Sequence, residues 1–208
     1  MRHGIPVLLA LAALAAGCGT DDAGETAAPQ PVTVTQTETV TQTETVTAEP
    51  EPACSTAGLN LRLPDQELPT EVAEVRRRVF DAAIACDYDT LEQVALEKGE
   101  GFTFSYGGGT DASAHWQQVE EEASESPLPM RALATILTMP FTRNESGSYA
   151  WPTAYDENPT RAAWQALVDA GLYTQEEVDT MRAQGTGYLG YRTAITADGD
   201  WQFFVAGD

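Results

Sequence analysis

The chain has 208 residues with 11 basic and 32 acidic side chains, a formal charge of −21 at pH 7. A field of that sign repels phosphate backbones, so composition excludes nucleic acid from the expected partners. The length accommodates a leader, a linker and one domain large enough to bury its own core.

Residues 1–17 predict a secretory signal. Arg2 and His3 precede the apolar run 5–16, and small residues lead up to Cys18. At about 1.5 Å per residue that run reaches roughly 18 Å, against a hydrocarbon core of about 30 Å, so it is too short to span. The stretch Leu14-Ala15-Ala16-Gly17-Cys18 resembles the lipobox of bacterial lipoproteins, with its leucine four residues ahead of the cysteine instead of three. The resemblance implies cleavage before Cys18 and acylation of its thiol and new amino terminus. It also implies an extracytoplasmic protein anchored to the cell membrane by N-terminal lipid. Two or three acyl chains on one cysteine anchor stably, whereas one chain is marginal.

Residues 18–52 read as the lipidated cysteine followed by a disordered Thr/Glu/Pro-rich stalk. Within it Thr-Val-Thr-Gln-Thr-Glu occurs twice in succession, and prolines stand at Pro29, Pro31, Pro50 and Pro52. Alternating valine and threonine suits a strand, but valine is the only large apolar residue available. Such a segment buries too little surface to offset its ordering entropy.

Residues 53–208 are expected to form a single globular domain. It holds 25 of the 32 acids and ten of the 11 bases, and Lys98 is its only lysine. With Cys18 lipidated, Cys54 and Cys86 remain, and an even pair in an oxidising compartment predicts a disulfide. The first helix opens after Pro69, with Val72, Val75, Val79, Ala82, Ala83 and Cys86 on one face. Arg76, Arg77 and Arg78 fan around it and read as solvated residues pairing with nearby acids. Asp89 and Glu92 suggest a capping box for a second helix over 90–98, closed by Gly99.

An aromatic strand is expected at 102–106, then the turn Gly107-Gly108-Gly109 and a helix starting near Asp111. Further helices are predicted over 128–137, after Asn158-Pro159, and after a capping box of Thr174 and Glu177. Strands are predicted at 148–151, 188–196 and 201–206, the last two joined through Asp198-Gly199. The expected class is α+β: N-terminal helices packed on a mostly antiparallel sheet with inserted helices.

His115 is the only histidine beyond the signal, which excludes sites built on two histidines. No Gly-x-Ser-x-Gly elbow, Walker lysine or calcium-loop spacing occurs, so no metal or cofactor is expected. Consecutive Glu120, Glu121 and Glu122 point in different directions on a helix. Aromatics on or beside the predicted strands suggest a concave pocket with hydroxyl handles, and Tyr106, Trp151, Tyr191 and Phe203 are its candidate lining.

The opening of the domain, Val79-Phe80-Asp81-Ala82-Ala83 through Asp87-Tyr88-Asp89-Thr90-Leu91, resembles the start of nuclear transport factor two-like domains. That likeness implies a cone-shaped α+β roll enclosing a pocket. Tyr149-Ala150-Trp151-Pro152, Gly190-Tyr191-Arg192 and the ending Phe203-Phe204-Val205-Ala206-Gly207-Asp208 resemble uncharacterised actinobacterial envelope lipoproteins, a likeness that carries no activity with it. The expected function is a non-catalytic envelope lipoprotein binding a small ligand or an envelope protein. One alternative is an envelope hydrolase using His115 with a carboxylate. The other is a purely structural or partner-binding module.

Overall fold

In the computed structural model, which describes residues 54–98 and 101–207, the valine and alanine spacing after Pro69 folds as α1 (Thr70–Ala85). Val72, Val75, Val79, Ala82 and Ala83 are all buried along one face. The signal, Cys18, the stalk over 18–52 and Gly99 lie outside the described residues. All described residues belong to one compact unit, Thr47–Asp208.

α1 ends at Cys86, whose φ of 49° is left-handed and whose N–H returns to Ala82 and Ala83 carbonyls. A disulfide joins Cys86 to Cys54, with the two Cα atoms 5.9 Å apart. The chain re-enters helix at once as α2 (Tyr88–Leu96), capped by Asp87 instead of the predicted Asp89. Because the turn is so tight, Asp87 is already placed to accept from Thr90 N at 3.0 Å. α3 (Ala112–Glu122) begins as predicted, with Asp111 accepting from Ala114 N at 2.8 Å.

α4 (Pro129–Thr138) is the most buried helix: Met130 and the run Ala132 to Leu137 are all inaccessible or nearly so. A helix apolar around its circumference must be enclosed, and its unpaired terminal groups then need partners from the protein. Glu120 on α3 supplies one end, accepting from Met130 N at 2.8 Å. Ser55 beside the disulfide accepts from Arg131 N at 3.1 Å and donates to Glu120 at 2.8 Å. Arg76 supplies the other end, its Nε and Nη2 donating to Leu137 O at 3.1 and 2.7 Å.

Arg76 therefore departs from the solvated reading: it is 3 % exposed, and only its neighbours face water. Arg77 lies 3.9 Å from Asp81 and Arg78 2.7 Å from Glu97, both pairs exposed. Burial pushes the Arg76 guanidinium down to about 10, with Asp65 acting in the opposite direction. Its position at the negative end of the α4 dipole compensates part of that burial.

The strands β1 (Thr142–Arg143), β2 (Tyr149–Trp151), β3 (Arg192–Ile195) and β4 (Trp201–Val205) form one antiparallel sheet in the order β1-β2-β3-β4. Tyr149 pairs with Ile195, and Thr193 with Phe204. Between β2 and β3 the chain inserts a single 3-10 turn (Thr153–Tyr155), then α5 (Arg161–Asp169) and α6 (Gln175–Gln184). α5 is capped by Thr160, two residues beyond the predicted Asn158 start, and α6 carries the predicted Thr174/Glu177 capping box. The fold is α+β, with six helices and four strands among the described residues.

The predicted strand at 102–106 reduces to one parallel bridge, Thr103 with Phe203. Gly101 at φ 92° before it and a turn at Ser105, whose Oγ accepts from Gly107 N at 3.1 Å, leave no room for a second. Phe102 and Phe104 still pack inward: their rings lie 5.9 and 6.5 Å from Trp116, which stacks on Trp201 at 6.0 Å.

Candidate functional site

The four aromatics expected to line a pocket do not meet around one. Trp151 is fully buried, its indole N–H donates to Gln66 at 3.2 Å, and the Arg76 guanidinium lies 5.7 Å from its ring centroid. Tyr191 is buried too, stacked on Phe204 at 5.0 Å with its hydroxyl bonded to Glu125. Tyr106 is exposed, and it and Phe203 flank a cluster that contains Arg192 and Tyr155.

Arg192 is 6 % exposed and donates to Gly190 O, Tyr106 Oη and Gly207 O at 3.1, 3.1 and 2.7 Å. The Tyr106 and Tyr155 rings flank its guanidinium at 5.8 and 5.5 Å, and Phe203 packs edge-on against Tyr155 at 6.0 Å. Aromatic faces attract cations, and arginines of this chain lie over two of the four rings that the sequence offered to a ligand, Trp151 and Tyr106.

His115 sits at the flank of α3 with its ring 5.3 Å from Phe104. Among the described residues no hydrogen bond joins its imidazole to a carboxylate, and it lines neither concavity described below. Nor do three histidine, cysteine or acidic side chains converge as a metal set among the described residues.

A concavity does exist, with Tyr155 among its lining residues. It has a volume of about 810 Å³ and is walled by three separate stretches of the chain. The β1–β2 turn contributes Arg143, Asn144, Glu145 and Ser146; the 3-10 turn and its exit contribute Tyr155, Asp156 and Glu157; the α6–β3 loop contributes 185–188. That size falls within the range of small-molecule sites, about 300–1,000 Å³.

Each wall is held from behind. Asn144 Oδ1 accepts from Ser146 Oγ at 2.8 Å and Ser148 N at 2.9 Å, which fixes the turn. Gly147 supplies the φ of 80° that this turn requires. Asp156 accepts from Asn158 N at 3.0 Å and Thr142 Oγ1 at 2.7 Å, and these bonds hold its carboxyl below the usual carboxylate range. Glu157 is raised instead, because the neighbouring Glu145 carboxyl disfavours a second negative charge beside it. On the third wall Gly185 ends α6 in a left-handed turn at φ 70°.

The loop behind that third wall rests on buried tyrosines. Tyr188 donates to Tyr191 O at 2.9 Å, and Tyr173 Oη accepts from Tyr191 N at 3.1 Å. They close so tightly around Gly190 that a Cβ there would meet the Tyr173 and Tyr188 hydroxyls at 2.4 Å. Burial pushes Tyr173, Tyr188 and Tyr191 up from 10.0, and Tyr88, on α2, up to about 12.

A raised native value means that these tyrosines stabilise the fold fully below pH 10 and lose that contribution as pH rises through their native values. Each unit of rise is worth about 1.4 kcal/mol. We therefore expect the alkaline titration of tyrosinate absorbance to coincide with loss of the near-ultraviolet circular dichroism. Smooth ionisation of every tyrosine near pH 10, with the fold intact, would contradict this packing.

A smaller hollow of about 520 Å³ lies along α6, between Tyr173, Thr174, Glu176, Glu177, Thr180 and Met181. It belongs to a single helix and its foot, and no second segment converges on it. The three-walled cleft is the candidate site. Sequence reading missed it because none of its walls carries a motif. The chain matches no protein-family model, no curated protein and no solved structure.

Proposed function

We propose that the chain is a membrane-anchored envelope lipoprotein whose domain binds a small polar ligand without catalysis. The cleft between the β1–β2 turn, residues 155–157 and the α6–β3 loop carries the reading. Two observations support binding over hydrolysis: the Asp156 oxygens are occupied by Asn158 N and Thr142 Oγ1, and His115 is not among the cleft's lining residues.

The anchor follows from the lipobox-like run ending in Cys18 and from the shortness of the apolar segment before it. Among the described residues no helix is long and apolar enough to cross a membrane, so the proposed lipid carries the attachment. Labelling cells with a radioactive fatty acid tests this half of the reading. We expect the label in the wild-type chain, its absence in Cys18→Ser, and release of that variant from the membrane fraction. An unlabelled wild-type chain, or a Cys18→Ser chain that stays membrane-bound, would overturn the anchor.

A further inference from the structure

We infer that residues 174–187 form a hinged flap that opens as one unit and carries one wall of the cleft with it. The segment comprises the Thr174 cap, α6 and the turn Gly185-Thr186-Gly187, and that turn lines the cleft. Its two ends emerge from a pair of fixed tyrosines. Tyr173 Oη accepts from Tyr191 N at 3.1 Å, Tyr188 Oη donates to Tyr191 O at 2.9 Å, and the two rings meet edge to face at 6.2 Å. Trp164 of α5 meets the Tyr188 ring edge-on at 5.9 Å.

Between those ends little holds the segment down. α6 packs on α5, yet Val178 alone of its ten residues is buried; Met181 is partly covered and the rest are exposed. α4, of the same length, buries eight. The polar bonds of the segment are internal. Gln175 donates to Asp179 at 3.1 Å, Thr180 donates to Glu176 O at 2.8 Å, and Arg182 lies 3.5 Å from Asp179. Among the described residues none of these bonds reaches another element.

A helix this short is marginal in water without tertiary support. Lifting Val178 from the core therefore removes the packing on which the helical bonds depend, and opening and unwinding become one event. The turn at the far end is built to absorb the change. Gly185 and Gly187 are left-handed at φ 70° and 82°, and a Cβ at either would meet nothing within 4 Å, so conformation and not crowding requires glycine there. The other two walls are tied to the sheet instead. Thr142 of β1 donates to Asp156 at 2.7 Å, and Asn144 N donates to Ser148 O at 3.1 Å. The cleft thus opens from its α6 side.

The test is native-state hydrogen exchange, read by NMR, on the full mature chain in detergent micelles with low concentrations of urea. We expect amides 178–185 to share one protection factor, about a hundredfold below that of amides 133–138 in α4, and a much weaker urea dependence. The Tyr191 amide, held by Tyr173, should exchange with α4 and not with α6. Arg76→Ala removes bonds that stay intact when the flap opens. It should quicken exchange in α4 about a hundredfold and leave the flap amides unchanged.

One protection factor and one urea slope shared by the flap and α4 would overturn the inference, as would equal quickening of both in Arg76→Ala. Rates that rise residue by residue toward Gly185 would mean fraying and overturn the concerted opening. Exchange of the Tyr191 amide in step with α6 would place the hinge outside the tyrosine pair and overturn the flap as defined.

Discussion

Arg76→Ala should destabilise the domain by about 3 kcal/mol. The guanidinium is the donor to both Leu137 O and Pro64 O, with the latter bond at 3.0 Å. Each buried acceptor left unpaired costs about 1–3 kcal/mol. Loss of the guanidinium from the Trp151 face adds about 0.5–2 kcal/mol, offset by release of the charge from its buried site. Arg76→Met, which keeps the apolar stem, should fare no better than alanine. Arg76→Lys should recover part of the loss, since an ammonium lacks the planar fork that reaches two carbonyls. Urea midpoints measured with an unchanged slope provide the check. Arg77→Ala and Arg78→Ala serve as exposed comparisons and should stay within about 0.5 kcal/mol of wild type. An Arg76→Ala midpoint equal to theirs would contradict the structural role.

Cys54→Ser with Cys86→Ser should cost about 3.5–4 kcal/mol. The bond closes a loop with a sequence separation of 32, and chain-entropy arguments give that magnitude. In a domain of this size the midpoint of thermal unfolding would fall by about 7–15 °C. Two structural consequences should accompany the loss. Ser55 holds Arg131 N and Glu120 at the head of α4, and Thr56 Oγ1 donates to Ile84 O at 2.8 Å. With the bond gone these contacts alone retain the segment, so amide exchange should rise first at 55–56 and at 130–131. Reduction of the wild-type chain should reproduce both effects. Unaltered melting after complete reduction would contradict them.

Much of the architecture was legible because local chemistry and packing agree over most of its length. The valine face of α1, the Asp111 cap of α3 and the Thr174/Glu177 box of α6 each appear where the residues say they should. The departures have local causes. Asp87 displaced Asp89 as a cap because Cys86 turns left-handed and shortens the connection. The strand at 102–106 shrank to a bridge between two turns.

Side-chain destinations were less legible than elements. A triplet of arginines carries no mark that its first member is to enter the core, since that depends on where α4 ends in space. Glu120, likewise, stands in a run of three identical residues, yet it alone meets the head of α4. The candidate site was hidden for the same reason. Its third wall is separated from the other two by α5 and α6, and only the folded chain brings them together. Of the aromatics that did advertise themselves, Trp151 and Tyr191 serve the interior, and Arg76 and Arg192 lie against the Trp151, Tyr106 and Tyr155 rings.

Native mass spectrometry of the chain isolated from its own envelope, alongside Glu157→Ala and His115→Ala prepared in the same way, tests the central claim most directly. The account predicts a small non-covalent adduct on the wild-type chain, retained by His115→Ala and depleted in Glu157→Ala. A bare mass for all three, or an adduct lost with His115 and kept without Glu157, would contradict it.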